Sequence, residues 1–541
     1  MACGGARVLT ILVSACLLSA LRADDRADAV NDLLGPLRLK DGPGCVVGVV
    51  QKGKLLYSAA FGLADVDARQ PITLDTQFEV ASMSKQFTAA SLYFLVESGK
   101  VALEGPVRRY IPELPAYADA IAVSDLLHHT SGLRDLNPLL EVAGRLRESL
   151  DGAASLQLLR SQSGLNFPPG TDYEYTNTDY FLLALIVERT SGQSLPAFAE
   201  EHLFRPLAMT HTSFRGGAAS AGVRAAGYRV QGEQFRKAGP PPLTNGDGGV
   251  RTTLEDLRLW DQNLYTGKVG GSRFIAFMET SGRLRSGEPV GYAAGLSVGR
   301  YRGARVVSHD GLLPGYRADF TQFPGFQLSS IFLCNRGDAD APGLNRRVAA
   351  IYLTGHLKPR RGAAGVDYPT TPFPELDGVW ESRQGWILRA WSGIDGMTID
   401  TADERYKLYP LNRRQLFTDD GGFRLTLTML STDRLSLQWD GALPVTYQRL
   451  EPVSMHAEQL AALAGEYRCP DAGALWTLVF RQGSLVITTT AGWKIPLDAI
   501  GSDRFVVGPW SLHFIRDSEG RPQGIQLHRA RLWNLWFERV P

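Results

Sequence analysis

The stretch Phe78-Glu-Val-Ala-Ser-Met-Ser-Lys-Gln-Phe-Thr-Ala89 decides how this chain is read. It opens a run from Ser82 to Ser98 in which Phe87, Leu92, Phe94 and Leu95 recur at helical spacing, with a stop at Gly99. Residues three apart share one face of a helix, so Ser82 presents its hydroxyl beside the Lys85 amine. A serine hydroxyl is a weak nucleophile and needs a base. A lysine serves as that base when burial or a second cation lowers its pKa. The helix N-terminus adds positive potential and free N–H groups near Ser82. Alone, S-x-x-K arises by chance in long chains and marks only a solvated helix start. Its meaning depends on the segments downstream of it.

Three such segments occur in order. Leu126-Leu-His-His-Thr-Ser-Gly-Leu133 comes first; Phe167-Pro-Pro-Gly-Thr-Asp-Tyr-Glu-Tyr-Thr-Asn177 carries a Y-x-N element in Tyr175 and Asn177; Ser308-His-Asp-Gly311 carries an H-x-G element. Pro206-Leu-Ala-Met209 and Gly248-Gly-Val-Arg-Thr-Thr-Leu-Glu-Asp256 are minor matches. Together these segments resemble the serine β-lactamase and penicillin-binding-protein superfamily, nearest its class C-like and D-stereospecific peptidase branch. The resemblance covers roughly residues 30 to 355. It implies an α/β catalytic domain of the β-lactamase/transpeptidase type, an antiparallel sheet with helices, working without metal or cofactor.

The resemblance also assigns roles. Ser82 would attack a carbonyl and become an acyl-enzyme, with Lys85 taking part in proton transfer. Tyr175 would be the second acid/base group, its phenol made more acidic by two nearby cations. The plainer reading of Tyr175 is a core aromatic at the start of the helix expected over 179–190. Asn177 would hydrogen-bond Lys85 or a substrate amide. The backbone N–H groups of Ser82 and Leu312 would form the oxyanion hole. His309 stands at the end of a strand expected over 304–308, where many relatives carry the Lys of a K-T-G motif. Its work would be electrostatic, orienting Tyr175 or holding a substrate group; its plainer reading is a satisfied strand-end histidine. Gly311, lacking a side chain, would let substrate come close to the strand edge.

Other residues invite chemistry and do not sustain it. His128 and His129 are adjacent, so their side chains diverge on a helix, and no third ligand stands at metal spacing. His129 is read as structural. Asp247, in Asn245-Gly-Asp-Gly-Gly249, is read as a turn former rather than a wall of the site. The GDGG run is no phosphate loop, because no Lys-Ser/Thr comes after it.

The whole chain fits a multidomain hydrolase. It has 541 residues, 44% apolar and 21% charged, with a net charge of +1. That composition is globular and gives no sign of a nucleic-acid partner or a membrane surface. Residues 1–23 read as an export signal: Arg7, an apolar stretch from Val8 to Ala20, and small residues at Ala20 and Ala23. The stretch is too short for a permanent span. A buried N-terminal helix is the competing reading. Val13-Ser-Ala-Cys16 loosely resembles a lipobox, a minor route to a lipid anchor at Cys16. The expected location is periplasmic or secreted. Beyond the signal only Cys45, Cys334 and Cys469 remain. One bridge is open to them, and buried free thiols are the expectation.

Strand signals at both ends of residues 24–357 enclose helical ones, so the terminal strands are expected to form one sheet with helices against it. Residues 358–372 read as a linker. Beyond it come short alternating runs, such as Leu425-Thr-Leu-Thr-Met429, and the region is duplicated. Leu376-Asp-Gly-Val-Trp380, Arg414-Gln-Leu-Phe417 and Tyr447-Gln-Arg-Leu450 recur as Leu463-Ala-Gly-Glu-Tyr467, Ser502-Asp-Arg-Phe505 and Phe537-Glu-Arg-Val540. The copies lie about 90 residues apart, as two tandem antiparallel β-barrels, lipocalin-like in size, would. These span 373–455 and 456–541. The tryptophans here (Trp380, Trp386, Trp391, Trp476, Trp493, Trp510, Trp533 and Trp536) are expected to fill the barrel cores.

A catalytic domain with two C-terminal barrels resembles the D-aminopeptidase arrangement. There a barrel loop reaches the cleft and restricts substrates to short D-amino-acid amides or peptides. The resemblance implies that activity on a small peptide, amide or ester substrate, with a homodimer as one possible state. Asp498 and Asp503 lie in a candidate loop of the second barrel. The alternatives are a carboxylesterase of the same fold, a β-lactamase or D-Ala-D-Ala carboxypeptidase, and a non-catalytic cell-wall binding protein. His309 in place of Lys argues against the β-lactamase, and the intact set Ser82, Lys85, Tyr175 and His309 against a dead relative.

Overall fold

The computed structural model describes residues 23–145, 151–218, 221–232, 234–239, 244–358, 373–393, 396–401, 405–419, 424–439, 443–451, 453 and 455–541. The expected leader up to residue 22, Cys16 with it, and residues 359–372 of the expected linker lie outside them. No helix among the described residues is long and apolar enough to cross a membrane.

A six-stranded antiparallel sheet organises the first part of the chain. Its order is Ser297–Tyr301, Ala304–Leu313, Tyr316–Phe323, Leu328–Cys334, Cys45–Gln51 and Lys54–Phe61. The N-terminal hairpin thus completes a sheet begun by the late strands, as the placement of strand signals anticipated. Cys45–Gln51 is buried on both faces, and its period of two splits the core. Val46 and Val50 join the cluster containing Phe87, Leu182 and Trp260. Val47 and Val49 face the opposite cluster with Val30, Leu34, Val348 and Ala349, from the helices Ala23–Leu34 and Ala341–Tyr352. Fully burying one such side chain stabilises the fold by about 1.5–3 kcal/mol.

The cysteine expectation is corrected. Cys45 and Cys334 stand directly opposite each other on neighbouring strands, Cα atoms 4.1 Å apart, and form a disulfide. Among the described residues only Cys469 is a buried free thiol. The pairing was hidden because 289 residues separate the two positions. Helix limits also shift. Residues Ala81–Ser84 form a tight 3-10 turn, and the α-helix proper is Lys85–Glu97. The helix Leu254–Thr266 is capped by Thr253, whose side chain accepts from the Asp256 N–H. Thr252 ends a short strand.

The repeated region forms two antiparallel barrels. Eight strands from Gly378–Ser382 to Val445–Arg449 close by pairing first to last, Trp380 opposite Arg449. Nine strands from Gly465–Cys469 to Leu532–Arg539 form a second, nearly closed barrel. The duplicated motifs do the same work in each. Trp380 Nε1 donates to Leu376 O at 3.0 Å, and Tyr467 Oη to Leu463 O at 2.9 Å. Leu450 N donates to Val379 O and Val540 N to Glu466 O, both at 2.8 Å. The first and last of the three repeated motifs therefore mark where a barrel's last strand latches onto its first. The tryptophans divide: Trp380, Trp476, Trp510 and Trp533 are buried, whereas Trp391 and Trp493 are exposed. Trp386 and Trp510 pack with the barrel cores and also line a cavity.

Candidate active site

The turn carrying Ser82 is held from several sides. Val80 N donates to Val250 O at 3.1 Å, and Val250 N to Ser84 Oγ at 3.0 Å. Ala81 has φ +49°, a conformation L-residues adopt sparingly, immediately before Ser82. The strand Ala304–Leu313 comes so close that a Cβ at Gly311 would lie 2.2 Å from Val80 O. Gly311 therefore makes room for the nucleophile's own segment. Gly311 also stands on the wall of the cavity that reaches the site.

Lys85 lies wholly inside the protein and its three N–H donors are all used. Nζ donates to Ser82 Oγ at 3.2 Å, to Asn177 Oδ1 at 2.9 Å and to Asp247 O at 2.9 Å. Burial is the main reason its pKa falls to about 8; the Asp247 carboxylate opposes that fall and the Arg531 charge adds to it. Asp247 thus reaches the site through its backbone carbonyl. Its carboxyl accepts from Thr244 Oγ1 at 2.6 Å, as a turn former's would. Thr88 Oγ1 pins this Gly-rich segment by donating to Gly246 O at 2.8 Å.

Tyr175 and Asn177 precede and begin the helix Asn177–Ser191, capped by Thr176. Asn177 N donates to Asp135 Oδ2 at 2.6 Å, which aims its side chain at Lys85. The Tyr175 ring centre lies 4.8 Å from Lys85 Nζ and 4.8 Å from Arg531 Cζ. Two cations therefore flank the ring, one of them from outside the expected motifs, yet the phenol is not made acidic. Its hydroxyl is buried without a well-formed hydrogen bond, and burial raises its pKa far more than Arg531 and the nearby Ser82 hydroxyl lower it.

His309 lies within the strand, which continues to Leu313, and not at its end. Its Nε2 meets Tyr292 Oη at 2.9 Å and its Nδ1 meets Asp310 O at 2.6 Å. Burial lowers its pKa to about 4, so the ring is neutral near pH 7. It contacts Tyr175 only ring to ring, centroids 6.1 Å apart, and makes its hydrogen bond to Tyr292. Leu312 stands on the cavity wall beside Gly311, 62% exposed. His129 is fully buried, its Nδ1 2.9 Å from Asp179 Oδ2, and packs on Tyr175 with centroids 4.5 Å apart. No cluster of metal-ligating side chains occurs among the described residues.

A cavity of about 1150 Å³ reaches this centre through Tyr175 and Gly311, between the catalytic domain and both barrels. Trp386, Tyr406, Tyr447 and Trp510 line it, with Asp310, Asp498 and Arg531. Of the two barrel aspartates singled out in the sequence, Asp498 is on the wall and lies 3.7 Å from Arg389. Asp503 is instead held by Arg516 at 2.7 Å. Sequence reading missed Tyr292, Asp135 and Arg531. Asp135 lies just past the HTSGL segment and caps the helix Leu136–Val142, a signal that was available. Tyr292 and Arg531 carry no local pattern.

Comparison with known proteins shows relatives over most of the chain. The family model described as Beta-lactamase matches residues 34–353. A D-aminopeptidase of Brucella anthropi is 32% identical over 523 residues, covering 90% of this chain and 93% of that protein. A D-aminopeptidase of Brucella melitensis biotype 1 is 27% identical over 512 residues with the same coverage of 90% and 93%. Among solved structures, the octameric penicillin-binding protein homologue from Pyrococcus abyssi superposes with TM-score 0.56 at 19% identity, covering 79% of this chain and 100% of that one. The D-amino acid amidase from Ochrobactrum anthropi SV3 gives 0.52 at 22% identity, covering 61% of this chain and 99% of that one.

Proposed function

The chain belongs to the Beta-lactamase family and is a serine hydrolase, and from that premise we propose that it is exported and cleaves the amide bond of short D-aminoacyl amides or peptides. The observation that carries the reading is the contact between Ser82 Oγ and a fully buried Lys85 whose pKa is lowered to about 8. In its neutral form Lys85 accepts the Ser82 proton as Oγ bonds to the substrate carbonyl carbon. The protonated lysine is then stabilised by Asn177 Oδ1 and Asp247 O, already in place. The tetrahedral intermediate collapses as protonated Lys85 returns that proton, through Ser82 Oγ, to the leaving amine, which leaves the lysine neutral again. Water, activated by the same lysine, then releases the acyl group from Ser82. Tyr175, kept protonated by burial, acts as a hydrogen-bond donor beside Ser82 and not as a phenolate base.

The stereochemical part rests on the D-aminopeptidases, whose similarity runs through the barrels as well as the catalytic domain. Export is supported by the leader-like residues 1–23 and by the Cys45–Cys334 disulfide, a bond that persists in oxidising compartments. The test is a panel of D- and L-aminoacyl anilides, D-Ala-D-Ala peptides, short p-nitrophenyl esters and nitrocefin, run on wild type and Ser82→Ala. Turnover of the D-aminoacyl anilides, lost in Ser82→Ala, is the expected result. Turnover of esters alone would replace the proposal with an esterase, and of nitrocefin alone with a β-lactamase.

A further inference from the structure

The hairpin joining strands Pro522–Arg529 and Leu532–Arg539 of the second barrel enters the catalytic domain, and its turn is fixed by backbone bonds. Arg531 has φ +70°. Its N–H donates to Glu174 Oε1 at 2.6 Å, and its carbonyl accepts from Asp135 N at 3.0 Å and Asn166 Nδ2 at 3.2 Å. Around the turn, Arg134 donates to Asp471 at 2.6 Å and to Asn534 O at 3.2 Å; Trp533 packs on Phe167 with centroids 5.1 Å apart; Arg529 pairs with Glu141. The bonded chain continues from Asp135 through Asn177 to Lys85. Its result is a guanidinium 4.8 Å from the centre of the Tyr175 ring, on the wall of the substrate cavity.

We propose that Arg531 is a positioning residue of the acyl-transfer site, supplied by the second barrel, which sets its guanidinium against the Tyr175 ring on the side of the site where Ser82 and Lys85 meet. This rests on the Ser82–Lys85 mechanism proposed for the site. The groups acting on Lys85 come from every side. Asp247 in the Gly-rich turn, Asp135 before Leu136–Val142, Asp179 on Asn177–Ser191 and Asp310 on Ala304–Leu313 all favour its protonated form. The rings of Tyr175 and Tyr180 lie 4.8 and 5.8 Å from Nζ and also favour a cation. His129 and His309 are kept neutral by burial. Arg531 opposes the carboxylates, pushing Lys85 in the direction a base requires. The barrel therefore tunes the chemistry it covers, and the site is incomplete without it.

The experiment is the pH profile of the acylation burst with p-nitrophenyl acetate, which carries no stereochemical demand, in wild type, Arg531→Met and Arg531→Lys. The backbone bonds of Arg531 to Glu174, Asp135 and Asn166 are retained in both variants, and thermal melting checks that each folds. In Arg531→Met the acid limb moves to higher pH by about one unit, and the burst rate at pH 7 falls about tenfold. Arg531→Lys, keeping the charge, returns the limb toward wild type. An unmoved limb in Arg531→Met, or a limb in Arg531→Lys displaced as far as in Arg531→Met, would overturn the proposal. Arg531→Gln supplies the same uncharged comparison if Arg531→Met does not fold. If wild type shows no burst from Ser82, the underlying mechanism fails, and that outcome is separate from an unmoved limb.

Discussion

Replacing Gly311 by alanine tests whether the approach of strand Ala304–Leu313 to the Ser82 turn is what the site depends on. An ideal Cβ at this position would lie 2.2 Å from Val80 O, 3.0 Å from Val80 C and 3.2 Å from Ala81 Cβ. A tolerable carbon–oxygen contact needs roughly 1 Å more, and overpacking of that kind costs about 1–3 kcal/mol. The obstacle is backbone, so no side-chain rotation relieves it. Either the strand or the Val80–Ser82 segment has to move. Misplacing a reacting group by roughly 1 Å costs about a hundredfold in rate. Gly311→Ala is therefore expected to lose about a hundredfold in kcat/KM while still folding, with Tm lowered by several degrees. The assay pairs ester or anilide kinetics with thermal melting. Wild-type kcat/KM in Gly311→Ala would refute the argument, because the strand would then not be registering the nucleophile.

The pH dependence comes from Lys85. Its neutral form is the reactive one, so with a pKa of about 8 activity should rise with pH and level off above that value. From pH 8 to pH 6 the neutral fraction drops roughly fiftyfold, and kcat/KM should fall with it; a flat profile over that range would contradict the role. Removing the Cys45–Cys334 bridge by Cys334→Ser should lower stability by about 2–5 kcal/mol, read as a fall in Tm that reducing agent reproduces in wild type and not in the variant. Arg134→Ala leaves the largely buried Asp471 without its cation at the junction with the second barrel, its carboxylate held by Ser163 N and Oγ. A loss of about 3–5 kcal/mol is expected, measured by denaturant unfolding, together with reduced activity as the Arg531 turn loosens.

Much of this molecule was legible in the chain. Ser82, Lys85, Tyr175 and Asn177 sit in two short motifs whose spacing within each helix start sets their directions, and the fold brings them together. The barrels were legible because closing a barrel repeats one local requirement, an aromatic on the first strand and a latch on the last, and the two copies kept it. The features that were not legible depend on distance along the chain or on burial. The Cys45–Cys334 bridge, the Tyr292–His309 hydrogen bond and the entry of Arg531 arise from how strands and domains pack, which no local pattern reports. The acidity of Tyr175 was misjudged for a related reason. Cations near its ring were expected, but the desolvation that outweighs them exists only in the folded protein.

The central claim is a covalent acyl group on Ser82. Intact-protein mass spectrometry after rapid acid quench of a p-nitrophenyl acetate reaction, combined with peptide mapping, tests it directly. The account predicts one added acetyl group on the peptide containing Ser82, formed more slowly at pH 6 than at pH 8 and absent from Ser82→Ala. Turnover with no adduct, or an adduct mapping to another residue and persisting in Ser82→Ala, would contradict it.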